Sequence, residues 1–156
     1  MGLAKAGKTK LFLTILVIVL LILVGFALYK NKQNDVKVVC IESKKCFNVE
    51  SVSTPDKMQL GLGNRDSLNQ ESGMLFIFPQ DVYTGFWMKD MRFPIDLLWI
   101  DSTMKVVGIE KNMQPCTESS CPTFDSKVKI RYVLEINSGL ADKLGLKEKD
   151  TVSFTK

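Results

Sequence analysis

The chain has 156 residues, with 21 basic and 17 acidic side chains and no histidine. Lys5, Lys8, Lys10 and Lys30 are the only charges in residues 1–30, so residues 31–156 hold 17 basic and 17 acidic groups and carry no net charge. A neutral domain without a Lys/Arg-rich run has no electrostatic means of holding nucleic acid, and a chain without histidine lacks the commonest general base.

Leu11 to Tyr29 is uncharged and has one aliphatic hydroxyl, Thr14. As a helix this stretch spans roughly 28 Å, close to the ~30 Å hydrocarbon thickness of a bilayer. The apolar core of a signal peptide is shorter, about 7–15 residues. A retained single-pass anchor over residues 11–29 is therefore expected. Cleavage after Ala27, in the small-x-small run Gly25-Phe26-Ala27, is the alternative. Lysines flank the stretch on both sides, so charge alone does not orient it. Residues 30–35 are polar and read as a short tether to a domain over 36–156.

Four cysteines form two close pairs, Cys40/Cys46 and Cys116/Cys121. Val36–Ile41 and Cys46–Val52 read as strands joined by the turn 42–45. A hairpin centred on Ser43 sets Cys40 across from Cys46, within disulfide reach. Cys116 and Cys121 would close a small ring between Pro115 and Pro122. Zinc sites space cysteines more tightly and often recruit histidine, so four-thiolate metal ranks below structural disulfides, as do free redox thiols. Disulfides persist outside the cytoplasm. The expected topology is thus a cytoplasmic N-terminus over 1–10, a membrane helix and an extracytoplasmic domain.

Further along, short apolar runs alternate with turn residues. Strands are expected at Met74–Phe78, Gly85–Met88, Ile95–Ile100, Lys105–Glu110, Arg131–Ile136 and Thr151–Phe154. The fifth and sixth runs of the domain pair as a hairpin across Asp101-Ser102. A helix over Met58–Leu68 is interrupted by Gly61 and Gly63. A second, from Ser138 to Leu144, opens on a serine cap and stops at Gly145. Many short strands at this spacing predict a mainly β domain, a small antiparallel sandwich or barrel with one or two short helices.

The block Phe86-Trp87-Met88-Lys89-Asp90 with Pro94-Ile95-Asp96 resembles the signature of the domain of unknown function 192 family. Gly61-Leu62-Gly63-Asn64-Arg65, Val133-Leu134-Glu135-Ile136-Asn137-Ser138-Gly139 and Leu146–Asp150 resemble three further pieces of its pattern. Three positions depart from it. Gly63 stands where methionine is usual, Asp90-Met91 replaces Asn-Thr, and Lys149 replaces a glycine. The resemblance implies a small, mainly β, often exported domain over residues 35–156. It implies no reaction and no substrate.

Asp96 and Glu135 each lie inside an apolar strand, where a carboxylate needs a cation or several donors. Arg65 and Lys89 are the available cations. The reading ranked first is structural: ion pairs and turn hydrogen bonds that fix the β core. The second is a polar pocket in which Arg65 and Lys89 face Asp96 and Glu135, with Trp87 as an apolar wall, able to bind a small polar or anionic ligand. Asp96 and Glu135 as a hydrolase pair is an alternative without a supporting motif. So is Cu(I) on the Met-x-x-Met pair Met88 and Met91, with Met74, Met104 and Met113 elsewhere. Methionine is an ordinary gap-filler. An exposed aromatic patch at Phe86 and Trp87 would instead mark a protein partner. The sequence thus points to a membrane-anchored binding or accessory module for a small polar ligand or an envelope protein, with no cofactor, rather than to an enzyme.

Overall fold

The computed structural model describes the backbone of residues 3–33, 36–118 and 120–155, and the side chains of residues 10–25, 36–118 and 120–155. Contacts divide the chain into two units, Met1–Asp35 and Val36–Lys156. The expected tether and the expected cytoplasmic segment fall partly outside the described residues.

The described residues of the first unit form one helix, α1, over Leu3–Gln33. Its apolar side chains from Leu11 to Val24 are exposed. The Thr14 hydroxyl donates to the Lys10 carbonyl at 2.9 Å, one turn back, and so needs no water. Among the described residues no helix is long and apolar enough to cross a membrane.

The described residues of the second unit form nine strands: β1 (Val38–Ile41), β2 (Lys45–Val52), β3 (Ser72–Val82), β4 (Gly85–Trp87), β5 (Ile95–Ile100), β6 (Val106–Met113), β7 (Thr123–Asp125), β8 (Ile130–Asn137) and β9 (Val152–Thr155). Seven form one sheet in the order β6-β5-β8-β3-β2-β1-β9, and β4 pairs with β7 as a separate ribbon. The β1–β2 hairpin has the register expected from its turn, Cys40 opposite Cys46. Both local disulfides, Cys40–Cys46 and Cys116–Cys121, are present.

The topology differs from an all-antiparallel sandwich in two respects. The chain leaves β2 through α2 (Pro55–Leu60) and returns alongside it, so β2 and β3 are parallel. The main sheet also curls until its edge strands meet. Lys105 bridges Thr151, the Val106 N–H donates to the Asp150 carbonyl at 3.0 Å, and the Val152 N–H donates to the Met104 carbonyl at 2.9 Å. The result is a half-barrel with apolar packing on both faces. Leu75, Leu98, Leu134 and Ile136 fill the core on one face. Met74, Phe76, Leu97, Trp99 and Val133 fill the core on the other. Successive residues of β3, β5 and β8 alternate between the two, as strand geometry requires. All six residues of β5 are buried for this reason.

The helices are shorter than expected. α2 begins at Pro55, whose ring is suited to the first helical position, and ends at Gly61, which takes φ +50° against the Phe76 ring. α3 covers Leu140–Lys143, and its N-cap is Gly139 rather than Ser138. The missing side-chain cap is supplied from another strand, as described below.

Candidate functional site

Cross-strand register decides which candidate residues can meet. Glu135 on β8 lies between Met74 on β3 and Leu97 on β5. It therefore points to the face that carries Phe76 and Trp99. Asp96 pairs with Ile136 and points to the opposite face. The two carboxylates weighed as a catalytic pair do not share a site, because they are one residue out of phase across neighbouring strands.

Asp96 is structural in its contacts. It is 1% exposed, and its oxygens accept from the Asn112 N–H at 2.9 Å and the Ala141 N–H at 2.8 Å. The second bond serves the first turn of α3, doing what an N-cap side chain does from within the helix segment. Asp96 thus leaves the group of pocket candidates.

Glu135 has the opposite character. It is 5% exposed, and its Oε2 atom has no hydrogen-bond partner. Burial pushes its carboxyl up to about 8, and the charge of Arg65 opposes this only in part. The carboxyl therefore holds its proton to higher pH than an ordinary glutamate does. Arg65 is committed elsewhere, pairing with Glu50 at 2.7 Å. Among the described residues neither Arg65 nor Lys89 forms the expected ion pair with a buried carboxylate: Arg65 pairs with Glu50, Asp96 accepts from backbone N–H groups, and Glu135 is left without a cation of its own.

Glu135 lines a cavity of about 210 Å³. One wall comes from α2 and the turn after it, through Met58, Leu60 and Leu62. Phe76 and Phe78 of β3 form a second, and Phe86 and Trp87 of β4 a third, with Lys89 and Met91 just beyond. Phe86 is held by edge-to-face contacts with Phe76 at 4.8 Å and Trp99 at 5.5 Å between ring centroids. Such contacts fix ring orientation as well as burying area. Trp87 is 48% exposed and Lys89 is exposed, so both stand at the rim. Arg65 does not line the cavity but borders a separate depression with Glu50 and Asn69.

Three of the five predicted residues, Trp87, Lys89 and Glu135, thus meet at one cavity. Arg65 reaches it through its charge alone, and Asp96 faces away. Phe76, Phe78 and Met58 were not anticipated. Only the alternation along β3 hinted that Phe76 and Phe78 share a face. Met74, Met88, Met91 and Met113 are buried in the same core as Phe76, while Met104 packs on the other face. Among the described residues no group of three or more carboxylate or thiol ligands is placed to hold a metal ion.

The rim is tied to the Cys116–Cys121 ring. β4 pairs with β7, Lys89 bridges Cys116, and the Cys116 N–H donates to the Met88 carbonyl at 3.0 Å. Asp90, following Lys89, adopts φ +60°, a conformation that Asn and Asp enter most readily. That tolerance explains how aspartate can stand for the usual asparagine. Lys149, in place of the usual glycine, takes φ +75°. Gly63, in place of methionine, is confined: a Cβ there would stand 2.8 Å from the Leu60 carbonyl.

Fold and site together define a half-barrel domain with one buried carboxyl facing a small aromatic-walled cavity. The chain belongs to the domain of unknown function 192 family, described as an uncharacterized ACR, whose pattern matches residues 37–154. A protein of unknown function from Novosphingobium aromaticivorans is similar in structure, with a TM-score of 0.69 and 28% identity over 74% of this chain and 83% of that one. A Sinorhizobium meliloti protein described as a candidate transcription regulator has a TM-score of 0.68 and 29% identity over 75% of this chain and 90% of that one. No curated protein matches the chain.

Proposed function

We propose that residues 36–156 form a non-enzymatic module that binds a small polar ligand, tethered by α1 to the outer face of a cytoplasmic membrane. One observation carries the binding reading: a buried carboxyl with an unpartnered oxygen lines an open cavity walled largely by aromatic side chains. Leaving such a group unsatisfied costs about 1–3 kcal/mol, which a ligand's polar atom would recover. Glu135, Trp87 and Lys89 are its contact residues, with Arg65 acting on Glu135 through space. A cavity of about 210 Å³ suits a metabolite-sized molecule rather than a peptide. The tether rests on the uncharged stretch Leu11–Tyr29 and on the exposure of its apolar residues. The outer face rests on the two disulfides.

The test is thermal unfolding of the full chain in dodecyl maltoside against sugars, nucleotides, organic acids, amines, Cu(I) and Zn(II). A native-state ligand at about 100 times its Kd adds about 2.7 kcal/mol. A shift abolished by Glu135→Gln or Trp87→Ala supports the cavity as the working site. A shift that survives both places binding elsewhere, and silence across the panel refutes the small-ligand reading.

A further inference from the structure

Aromatic side chains dominate the walls of the Glu135 cavity; Gln59, Thr84 and Lys89 also line it, and Glu135 is the buried polar side chain among its described lining residues. Phe76, Phe78, Phe86 and Trp87 contribute four aromatic side chains, with Met58 beside them. Ring faces carry negative potential and attract cations, most strongly when water is excluded. A sugar would need several convergent hydrogen-bonding groups, and the buried part of this cavity offers Glu135. An anion would meet the negative ring faces. Arg65, the cation nearest in effect, is already neutralised by Glu50 at 2.7 Å, so Glu135 has no protein counter-ion of its own.

Resting on the binding reading above, we propose that the cavity takes a small organic ammonium, with Glu135 as counter-ion and Phe76, Phe78, Phe86 and Trp87 as the aromatic cage. Binding exchanges one cation for another. The Glu135 proton leaves to solvent as the ammonium enters, and the carboxylate then pairs with the ligand nitrogen's positive charge. Lys89 stands at the exposed rim, where water screens it from the bound cation.

The exchange gives a signed pH dependence. Glu135 titrates at about 8 when the cavity is free, so below that pH each unit of acidification weakens cation binding about tenfold. The other charged groups on this face are Arg65 and Lys89, together with Glu50 and Glu110. Glu50, Met74, Glu135, Leu97 and Glu110 form one cross-strand row. Glu50 is exposed and paired with Arg65, Glu110 is half-buried, and Glu135 is the buried glutamate of the row. A slope between about pH 6 and pH 8 therefore reports Glu135.

The experiment titrates choline into the full chain in dodecyl maltoside, read by calorimetry and by Trp87 fluorescence, from about pH 6 to pH 9. The control ligand is dimethylbutanol, in which carbon replaces the quaternary nitrogen. The expected result is choline binding that strengthens about tenfold per unit up to about pH 8 and then levels. Dimethylbutanol should bind at least about tenfold more weakly, and Glu135→Gln should abolish choline binding. Should that variant fail to fold, the pH series on the natural chain carries the test alone. Equal binding of the alcohol, or affinity that falls above about pH 8, would show a neutral carboxyl donating to the ligand. That result overturns the ammonium assignment and keeps the cavity as a site. Silence with choline while another compound of the wider panel binds through Glu135 has the same meaning. Silence with every compound refutes both readings.

Discussion

Two buried carboxylates on adjacent strands show how a one-residue offset separates a structural role from a binding one. Asp96 faces two backbone donors and Glu135 faces a cavity. The consequence for stability is different in each case. Glu135 titrates at about 8 in the folded protein against 4.5 ordinarily. Between these values the folded state keeps a proton that the unfolded chain has released. Its contribution is therefore fully present below about pH 4.5 and is lost as pH rises to about 8, on the order of 1 kcal/mol per unit. Denaturant midpoints of the ligand-free protein should fall across that window, and Glu135→Gln should flatten the fall. A parallel fall in the variant would mean that another group is responsible. Asp150 has the opposite sign. Burial raises its pKa, but the Lys44 hydrogen bond at 2.5 Å and the Lys147 N–H outweigh this and hold the carboxyl below its usual range. Its contribution is retained above the ordinary carboxylate range and lost as pH falls through the lowered value. Asp96→Ala leaves the buried Ala141 N–H and the partly exposed Asn112 N–H unmet and should cost about 2 kcal/mol. It should leave the Glu135 slope intact, whereas a change in that slope would tie Asp96 to the cavity after all.

At the level of elements, eight strands were legible because their apolar runs are punctuated by turn residues. The hairpin at Ser43 was legible even in register, since a symmetric turn and two cysteines constrain it twice. β7 escaped because three residues between Pro122 and Ser126 carry no periodicity. The parallel pairing of β2 with β3 escaped because nothing local encodes which strand a crossover returns beside. The cavity was half legible: Trp87, Lys89 and Glu135 stood out by type, but Phe76 and Phe78 read as ordinary core. The Cys116–Cys121 ring gives this element its own prediction. Closing a loop so small contributes about 2 kcal/mol in the chain-entropy picture. The ring anchors β7, and β7 is the pairing partner of β4. Replacing both Cys116 and Cys121 with serine should therefore loosen the rim as well as lower stability. Trp87 emission should broaden and shift. The equivalent change at Cys40 and Cys46, at the β1–β2 hairpin, should cost similar stability and leave Trp87 emission as it was. An unchanged emission in the Cys116/Cys121 variant would show that β4 holds its place without the ring.

For the domain as a whole, stability should be graded outward from the strands buried on both faces. β5, β8 and β3 have neighbours on either side in the sheet and apolar cores above and below. The β4–β7 ribbon is three residue pairs long and lies outside the main sheet. The seam between β6 and β9 rests on a few hydrogen bonds around Val106 and Val152. Local opening follows contact density, so hydrogen exchange resolves these parts as separate units. Amides of Leu98 and Leu134 should exchange only with global unfolding. Those of Val106 and Val152 should exchange earlier and together, since parting the seam releases both. Ribbon amides at Phe86 and Trp87 should exchange first. A binding domain gains from this order, because its rim can open to admit a ligand while the sheet that positions Glu135 stays closed. Ribbon protection equal to that of Leu134 would contradict it, and would mean that the ligand enters a cavity whose walls do not move.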